Sequence, residues 1–439
     1  MNNDANSCTL PLEDIMPFMI AAVGSRNQSD ANQSYLLYRW PVKHIQIDII
    51  EYLNFAFSTT ELDNNLEKCV NSSFTDDINQ RFSASCTFTI ESKMYSFIIV
   101  LDNKKFENSP FILEQIYDFT YLMACTSKYH IIHSIPIFNV TPILRGFLLD
   151  YGTFVISSLD SPLIDKQLTF PLPFPHDFLA KCLTSHLQTQ MTTVITSSFE
   201  VKSKQMAHFL SYFLLPNQKT FSSDKIFDVP LQGFFIQCIQ PPTSVTTPQI
   251  SSNAQHQKIK MPLEELIQFQ RPWTYINIDS MTVIQCPSIE SQKMYRSQYR
   301  HSILFAFDAD HNEINKRLTS IFSRYKPNID VGTSEWAIKA IKVLEDAPSQ
   351  MKNFVGEQKT TEIMEKAVTM ISLVNGILEN TAAVFIDPVQ LKEIGRIISV
   401  TDKEELQMVS SVSQLFDKSM FRKTEAKRRD MLIQMMNSV

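Results

Sequence analysis

Short apolar runs separated by polar spacers fill the first third of the chain, and amphipathic helical periods fill the last third. IMPFMIAAV (15–23) and SYLLYRW (34–40), on either side of the polar GSRNQSDANQ, predict two strands and a loop. Ile45, Ile49, Ile50, Leu53 and Phe57 then recur at helical spacing, which predicts a helix lying on a sheet. ASCTFTI (84–90) and YSFIIVL (95–101), joined by Glu91, Ser92, Lys93 and Met94, predict a tight β-hairpin, preceded by a polar loop, FTDDINQRFS. FILEQIYDFTYLMACTSKYHIIHSI (111–135) and PILRGFLLDYGTFVI (142–156) carry the wide apolar faces of helices.

A stretch with four prolines and no helical period, residues 157–177, predicts an interdomain linker. After it, FLAKCLTSHLQT, TTVITSS, KSKQMAHFLSYFLL and LQGFFIQCI alternate helix and strand, the pattern of an α/β core. PPTSVTTPQISSNAQHQ (241–257) is too poor in large apolar residues to pack and predicts a mobile surface loop. Beyond Phe307 the strand signals stop. SEWAIKAIKVLED, TEIMEKAVTMISLVNGILEN, DPVQLKEIGRIISV and DKEELQMVSSVSQLFDKSMF predict amphipathic helices, with Asp387 and Asp402 as N-caps. The division expected is residues 1–156, a linker 157–177, an α/β core 178–307 and a helical end 308–439, an α+β protein overall.

Composition narrows the chemistry. Apolar residues at 44% with 20% charged are those of a globular protein, and a net charge of −6 removes the broad electrostatic reason to bind nucleic acid. Only eight glycines occur, never closer than six residues apart, so the clustered glycines of a phosphate-cradling loop are missing and no bound nucleotide or other cofactor is expected. The seven cysteines stand singly, without C-x-x-C pairs, and read as reduced, mostly buried thiols. The opening MNNDANSCTLPLED is polar and acidic where a signal peptide would be basic and then apolar, and no run of about 18 apolar residues follows, so a cytoplasmic location is expected.

Candidate reactive residues are sparse. His130 and His133 have an i, i+3 spacing that could hold a metal, but no H-E-x-x-H glutamate or carboxylate cluster accompanies them, so no metal site is expected. His186, in SHLQT, reads as a packing or locally hydrogen-bonded residue. Cys286, between a strand and Pro287, has no base placed beside it by the sequence and reads as a structural thiol. Arg422, Lys423, Lys427, Arg428 and Arg429 share a predicted helix with Met420, Phe421, Met431, Leu432 and Met435; this is a solvated helix end or a basic amphipathic surface for a partner or membrane.

One ordered set of residues carries a resemblance. Phe178, Leu179, Ser185 to Thr189, Gln232, Gly233, Pro262, Pro272, Tyr295 and Tyr299 surround a T-x-I-x-I-D-x-x-T-V-x-Q-x-P run formed by Thr274, Ile276, Ile278, Asp279, Thr282, Val283, Gln285 and Pro287. In that order and spacing they resemble the longin-DENN family of the amyotrophic-lateral-sclerosis-linked chromosome-nine open-reading-frame-seventy-two protein. The resemblance is strong from Phe178 to Tyr299 and pattern-level elsewhere. It departs from the family in lacking a glycine-marked turn between the first two strands and in a shorter, more charged segment from Phe305 to Val331. It implies an N-terminal longin domain, then a DENN domain with an α/β core and a C-terminal helical subdomain. It further implies a subunit of a GTPase-activating complex acting on Arf or Rab GTPases in autophagy and endolysosomal traffic. The partner would be a second longin-DENN subunit supplying an arginine finger; a third, β-propeller subunit and peripheral membrane association stay open. In such complexes the finger lies on a longin loop. Matched here to the hairpin connection, that loop offers Lys93, and the loop before it offers Arg81; neither suits the role, so the chain is expected to have no catalytic residue of its own. The alternative is direct guanine-nucleotide exchange on a Rab through a longin-DENN groove, which needs no catalytic side chain.

Overall fold

A computed structural model of the chain describes residues 19–27, 33–40, 48–60, 69–76, 78, 81–91, 93–102, 110–141, 144, 163, 168, 171–241, 249–251, 258–304, 311–381, 383–400 and 402–424. The chain forms two compact units, Met1–Ile156 and Ser157–Val439.

In the first unit, β1 (Met19–Asn27), β2 (Ser34–Trp40), α1 (Ile49–Thr60), β3 (Val70–Asp76), β4 (Arg81–Ile90), β5 (Lys93–Asp102) and α2 (Pro110–Ile132) follow in order. The strands build one antiparallel sheet ordered β2-β1-β5-β4-β3. Strand alternation divides the sheet between two helices. Ile20, Ala22, Ile98 and Val100 pack with Tyr52, Leu53, Ala56 and Phe57 of α1, while Phe82 and Phe97 meet Tyr117 and Phe119 of α2 edge to face. At Gly24 α1 packs closely on the sheet: a Cβ there would lie 2.5 Å from Leu53 Cδ1, so a larger residue would force that side chain to shift.

Three expectations are corrected here. The predicted polar loop contains the end of an additional strand, β3, and the start of β4, so Arg81 is a strand residue paired opposite Asp76. The hairpin is tighter than expected: Lys93 and Met94 already belong to β5, with Lys93 opposite Ile90, and Glu91 turns the chain at φ 55°. His133 lies just past the end of α2. The predicted helix 142–156 falls outside the described residues except for Leu144, and most of the predicted linker does as well.

The second unit contains α3 (His176–Gln188), β6 (Thr193–Thr196), α4 (Glu200–Ser211), α5 (Pro216–Thr220), β7 (Ile226–Phe227), β8 (Ile236–Ile239), β9 (Gln249–Ser251), β10 (Lys258–Lys260), α6 (Leu263–Leu266), β11 (Thr274–Asn277) and β12 (Thr282–Gln285). Then come α7 (Ile289–Leu304), α8 (His311–Arg324), α9 (Glu335–Asp346), α10 (Lys352–Thr381), α11 (Pro388–Ile397), α12 (Lys403–Phe416) and α13 (Met420–Thr424). The main sheet is ordered β12-β11-β6-β8-β7 and is parallel apart from the β11–β12 hairpin. One side of it packs Val194, Tyr275 and Ile284 against Leu263, Leu266, Tyr299 and Tyr325. Within the predicted mobile loop 241–257, residues 249–251 pair with β10 instead; 242–248 and 252–257 lie outside the described residues.

The helical end is set by side-chain caps. Asp387 accepts from the N–H groups of Val389 and Gln390. Asp402 serves two helices, accepting from Glu405 N–H at 2.6 Å on its own helix and from Glu335 N–H at 2.7 Å at the start of α9. The predicted helix over 402–421 is broken: Asp417 is extended (φ −137°, ψ 101°) and accepts from Ser419 N–H and hydroxyl, which opens α13. Lys427, Arg428, Arg429, Met431, Leu432 and Met435 of the predicted tail helix lie outside the described residues.

Candidate functional site

The residues that carry the sequence resemblance gather around α3. This helix is buried over nearly its whole length, and its polar side chains find partners across the sheet. The Thr274 hydroxyl on β11 donates to the Ser185 carbonyl at 3.0 Å and lies 2.7 Å from each of the Ser185 and Thr189 hydroxyls. His186 Nδ1 lies 2.8 Å from Thr193 Oγ1, and burial pulls the imidazole down to about 3, so the ring is neutral at ordinary pH. Gln285 on β12 donates through Nε2 to Gln188 Oε1 at 2.7 Å, and Gln188 Nε2 donates to the Glu404 carbonyl and Gln407 Oε1 of α12. SHLQT is thus a joint that fastens one helix to three strands and to the helical end.

The remaining matching residues do similar work. Asp279 accepts from the Ser197 and Ser198 hydroxyls and from Ser198 N–H, closing the turn after β6. Burial opposes its ionisation, but those hydrogen bonds and nearby Lys202 outweigh it and hold the carboxyl below its ordinary value. Arg271 donates to the Gly233 carbonyl at 2.7 Å and stacks on Phe235. Tyr299 donates to Glu264, and Tyr295 to the Arg324 carbonyl.

Beside this joint lies a cleft of about 540 Å³ between the end of β12 and helices α11 to α13. Carboxamides (Gln188, Gln285, Asn328, Gln407 and Gln414) dominate its polar lining, and its ionisable side chains are Lys403 and Cys286. Burial pushes the Cys286 thiol up to about 12, and its sulfur accepts from Trp273 N–H at 3.3 Å. Among the described residues no carboxylate or imidazole lines the cleft to act as a general base beside a nucleophile.

The other candidates lie in the first unit. Arg81 approaches the Tyr52 hydroxyl of α1, which itself donates to Asp76 at 2.7 Å, so the guanidinium is engaged within its own unit. Lys93 is exposed at the hairpin. His130 is buried while His133 is exposed and packs on Tyr129, so this pair diverges. Arg422 and Lys423 lie on α13, where Lys423 is tied to Asn375 and Asp417. Sequence reasoning missed the exposure of outer strand β2, where Tyr35, Leu36 and Leu37 are 46%, 42% and 45% exposed. The signal was present in SYLLYRW, whose apolar residues do not alternate as those of a half-buried strand should.

Among the described residues no helix is long and apolar enough to cross a membrane. No curated protein matches the chain. The model of the C9orf72-like protein family matches residues 53–292, from α1 through the sheet of the second unit into α7. The sheet-bearing N-terminal unit, the α/β core and the C-terminal helices make up a longin-DENN α+β architecture. Matched over more than half its length, the chain belongs to the C9orf72-like protein family.

Proposed function

We propose that this chain is a non-catalytic longin-DENN subunit of a heteromeric complex that activates Arf or Rab GTPases in autophagy and endolysosomal traffic. The observation that carries the reading is the outer edge of β2. A bare strand edge with exposed apolar side chains is a template for another strand. Tyr35, Leu36 and Leu37 place such side chains on both faces of that edge, whereas the opposite edge strand, β3, exposes Asn71, Ser73 and Thr75. A Tyr38–Thr141 hydrogen bond anchors the far half of β2, while among the described residues the side chains of 35–37 stay exposed.

In this reading the longin sheet of a second longin-DENN subunit pairs along β2, and that subunit brings the arginine finger. A finger must reach a nucleotide and neutralise charge on the transferring phosphoryl group. Arg81, engaged by Tyr52, and Lys93, at the strand end beside a two-residue turn, supply no such reach. The complex works in the cytoplasm and is recruited to endosomal, lysosomal or autophagosomal membranes. Affinity purification from the protein's own cells at moderate salt, with mass spectrometry, tests this. The expected result is a second longin-DENN protein bearing an arginine in its longin loop. Recovery of a Rab alone, held nucleotide-free, overturns it in favour of nucleotide exchange.

A further inference from the structure

A stripe of α12 lines the cleft beside the joint. Lys403, Gln407, Ser410 and Gln414 recur at i, i+4, i+7 and i+11 and share one face of that helix. The carboxamides that meet this stripe are hydrogen-bonded in a single direction. Asn328 Nδ2 donates to Gln285 Oε1 at 3.4 Å, Gln285 Nε2 to Gln188 Oε1 at 2.7 Å, and Gln188 Nε2 to Gln407 Oε1 at 3.1 Å. Each of these side-chain oxygens already accepts, so the relay ends on the amide N–H groups of Gln407, which have no partner among the described residues. Gln414 ends in the same way: Gln190 Nε2 donates to its Oε1 at 3.2 Å, and its own N–H groups have no partner among the described residues. Lys403 is exposed and, among the described residues, forms no ion pair. This face of α12 therefore presents donors at both ends, one of them charged.

We propose that the cleft binds an extended acidic peptide of a protein partner, a carboxylate of the peptide meeting Lys403 and its main-chain carbonyls accepting from Gln407 and Gln414. The site lies wholly in the second unit and owes nothing to the edge of β2.

Charge and length select this occupant. Among the described residues no carboxylate lines the cleft, so a basic segment would find no counter-ion there, whereas an acidic one meets Lys403. A second cation stands at the wall: Lys293 Nζ lies 4.7 Å from the ring centre of Phe421, which lines the cleft. From Lys403 to Gln414 the helix rises about 16 Å, the length of about five residues of extended chain. Pro272, Pro287, Ile289, Leu391, Leu406 and Phe421 supply the apolar lining, so side chains flanking the carboxylate should be apolar. Main-chain hydrogen bonds then give such a segment its affinity, and the apolar lining with Lys403 gives its specificity.

The test is selection of a displayed library of random heptapeptides on the immobilised full-length chain, followed by fluorescence anisotropy with the enriched peptides. The expected sequences carry an aspartate or glutamate between apolar residues, and exchanging that acid for its amide in the peptide weakens binding about tenfold, the size of one charge-assisted hydrogen bond. With Lys403→Gln the acid and amide peptides should bind alike, and Ser410→Trp, which fills the cleft, should abolish binding while the unfolding midpoint is kept. The acid-to-amide comparison is made on the wild-type chain and does not depend on any variant folding. Failure to enrich any peptide, enrichment of sequences without a carboxylate, or equal binding to Ser410→Trp overturns the proposal. Displacement of the selected peptide by a synthetic peptide of residues 425–439 overturns it in favour of the chain's own tail.

Discussion

Replacing Thr274 by Val removes one hydroxyl from the joint at the centre of the second unit and keeps the side-chain shape. That hydroxyl meets Ser185 Oγ and Thr189 Oγ1 at 2.7 Å and the Ser185 carbonyl at 3.0 Å, in a site closed to water. Thr189 retains its bond to the Ser185 carbonyl at 2.9 Å, but the Ser185 hydroxyl loses its partner. A net hydrogen bond is worth about 1 kcal/mol, and a stranded buried hydroxyl costs about 1–3 kcal/mol. The added methyl returns about 0.8 kcal/mol. The balance is a loss of about 2 kcal/mol, which lowers the unfolding midpoint by about 4–8 °C. Intrinsic fluorescence suits the assay, because Trp273 is the adjacent residue and is fully buried. Ser185→Ala in the Thr274→Val background removes the stranded group, so the double variant should lose less than the sum of the singles by about 1 kcal/mol. Thr274→Val matching the wild type within about 0.5 kcal/mol, or strict additivity with Ser185→Ala, would refute the reasoning.

The remaining predictions concern other places. Gly24→Ala drives a Cβ to 2.5 Å from Leu53 Cδ1 and should cost about 1–3 kcal/mol by thermal unfolding, with part of the loss recovered when Leu53 is shortened to Val. Glu405 is fully buried with its carboxylate 2.7 Å from Lys366 Nζ, so Lys366→Met should cost about 3–5 kcal/mol in denaturant unfolding, and a Lys366→Met/Glu405→Leu pair should cost less than Lys366→Met alone. His186, held down to about 3 by burial, is neutral when folded but takes a proton below about 6.5 when unfolded. Its contribution is therefore complete above pH 6.5 and is lost as pH falls towards 3, at up to about 1.4 kcal/mol per pH unit; His186→Gln should flatten that slope in denaturant midpoints between pH 7 and 5.

The α/β alternation and the helix N-caps were legible because their signals are local. Asp387 and Asp402 cap helices within three residues of themselves, and the apolar period of FLAKCLTSHLQT marks a buried helix without reference to anything else. β3 was not legible. VNSSFTD has one large apolar residue, Phe74, and its Ser72 is satisfied only by Ser85 across the ladder, so the strand exists by pairing rather than by its own pattern. The same applies to the joint: Ser185 and Thr274 are 89 residues apart, and nothing in SHLQT names its partner. The motif identified the family, and the structure assigns its residues to packing. Arg81 read as a loop residue for want of β3; once that strand is in place, the arginine is opposite Asp76.

The central claim is that β2 is the edge along which a second longin-DENN subunit pairs. Hydrogen exchange on the complex recovered from cells, set against the chain alone, measures it at the backbone amides of residues 34–40. The account predicts strong protection there on complex formation, and dissociation of the complex by Leu36→Lys with Leu37→Lys while the variant chain keeps its unfolding midpoint. Unchanged exchange along β2, in a complex that survives both lysines, would contradict it.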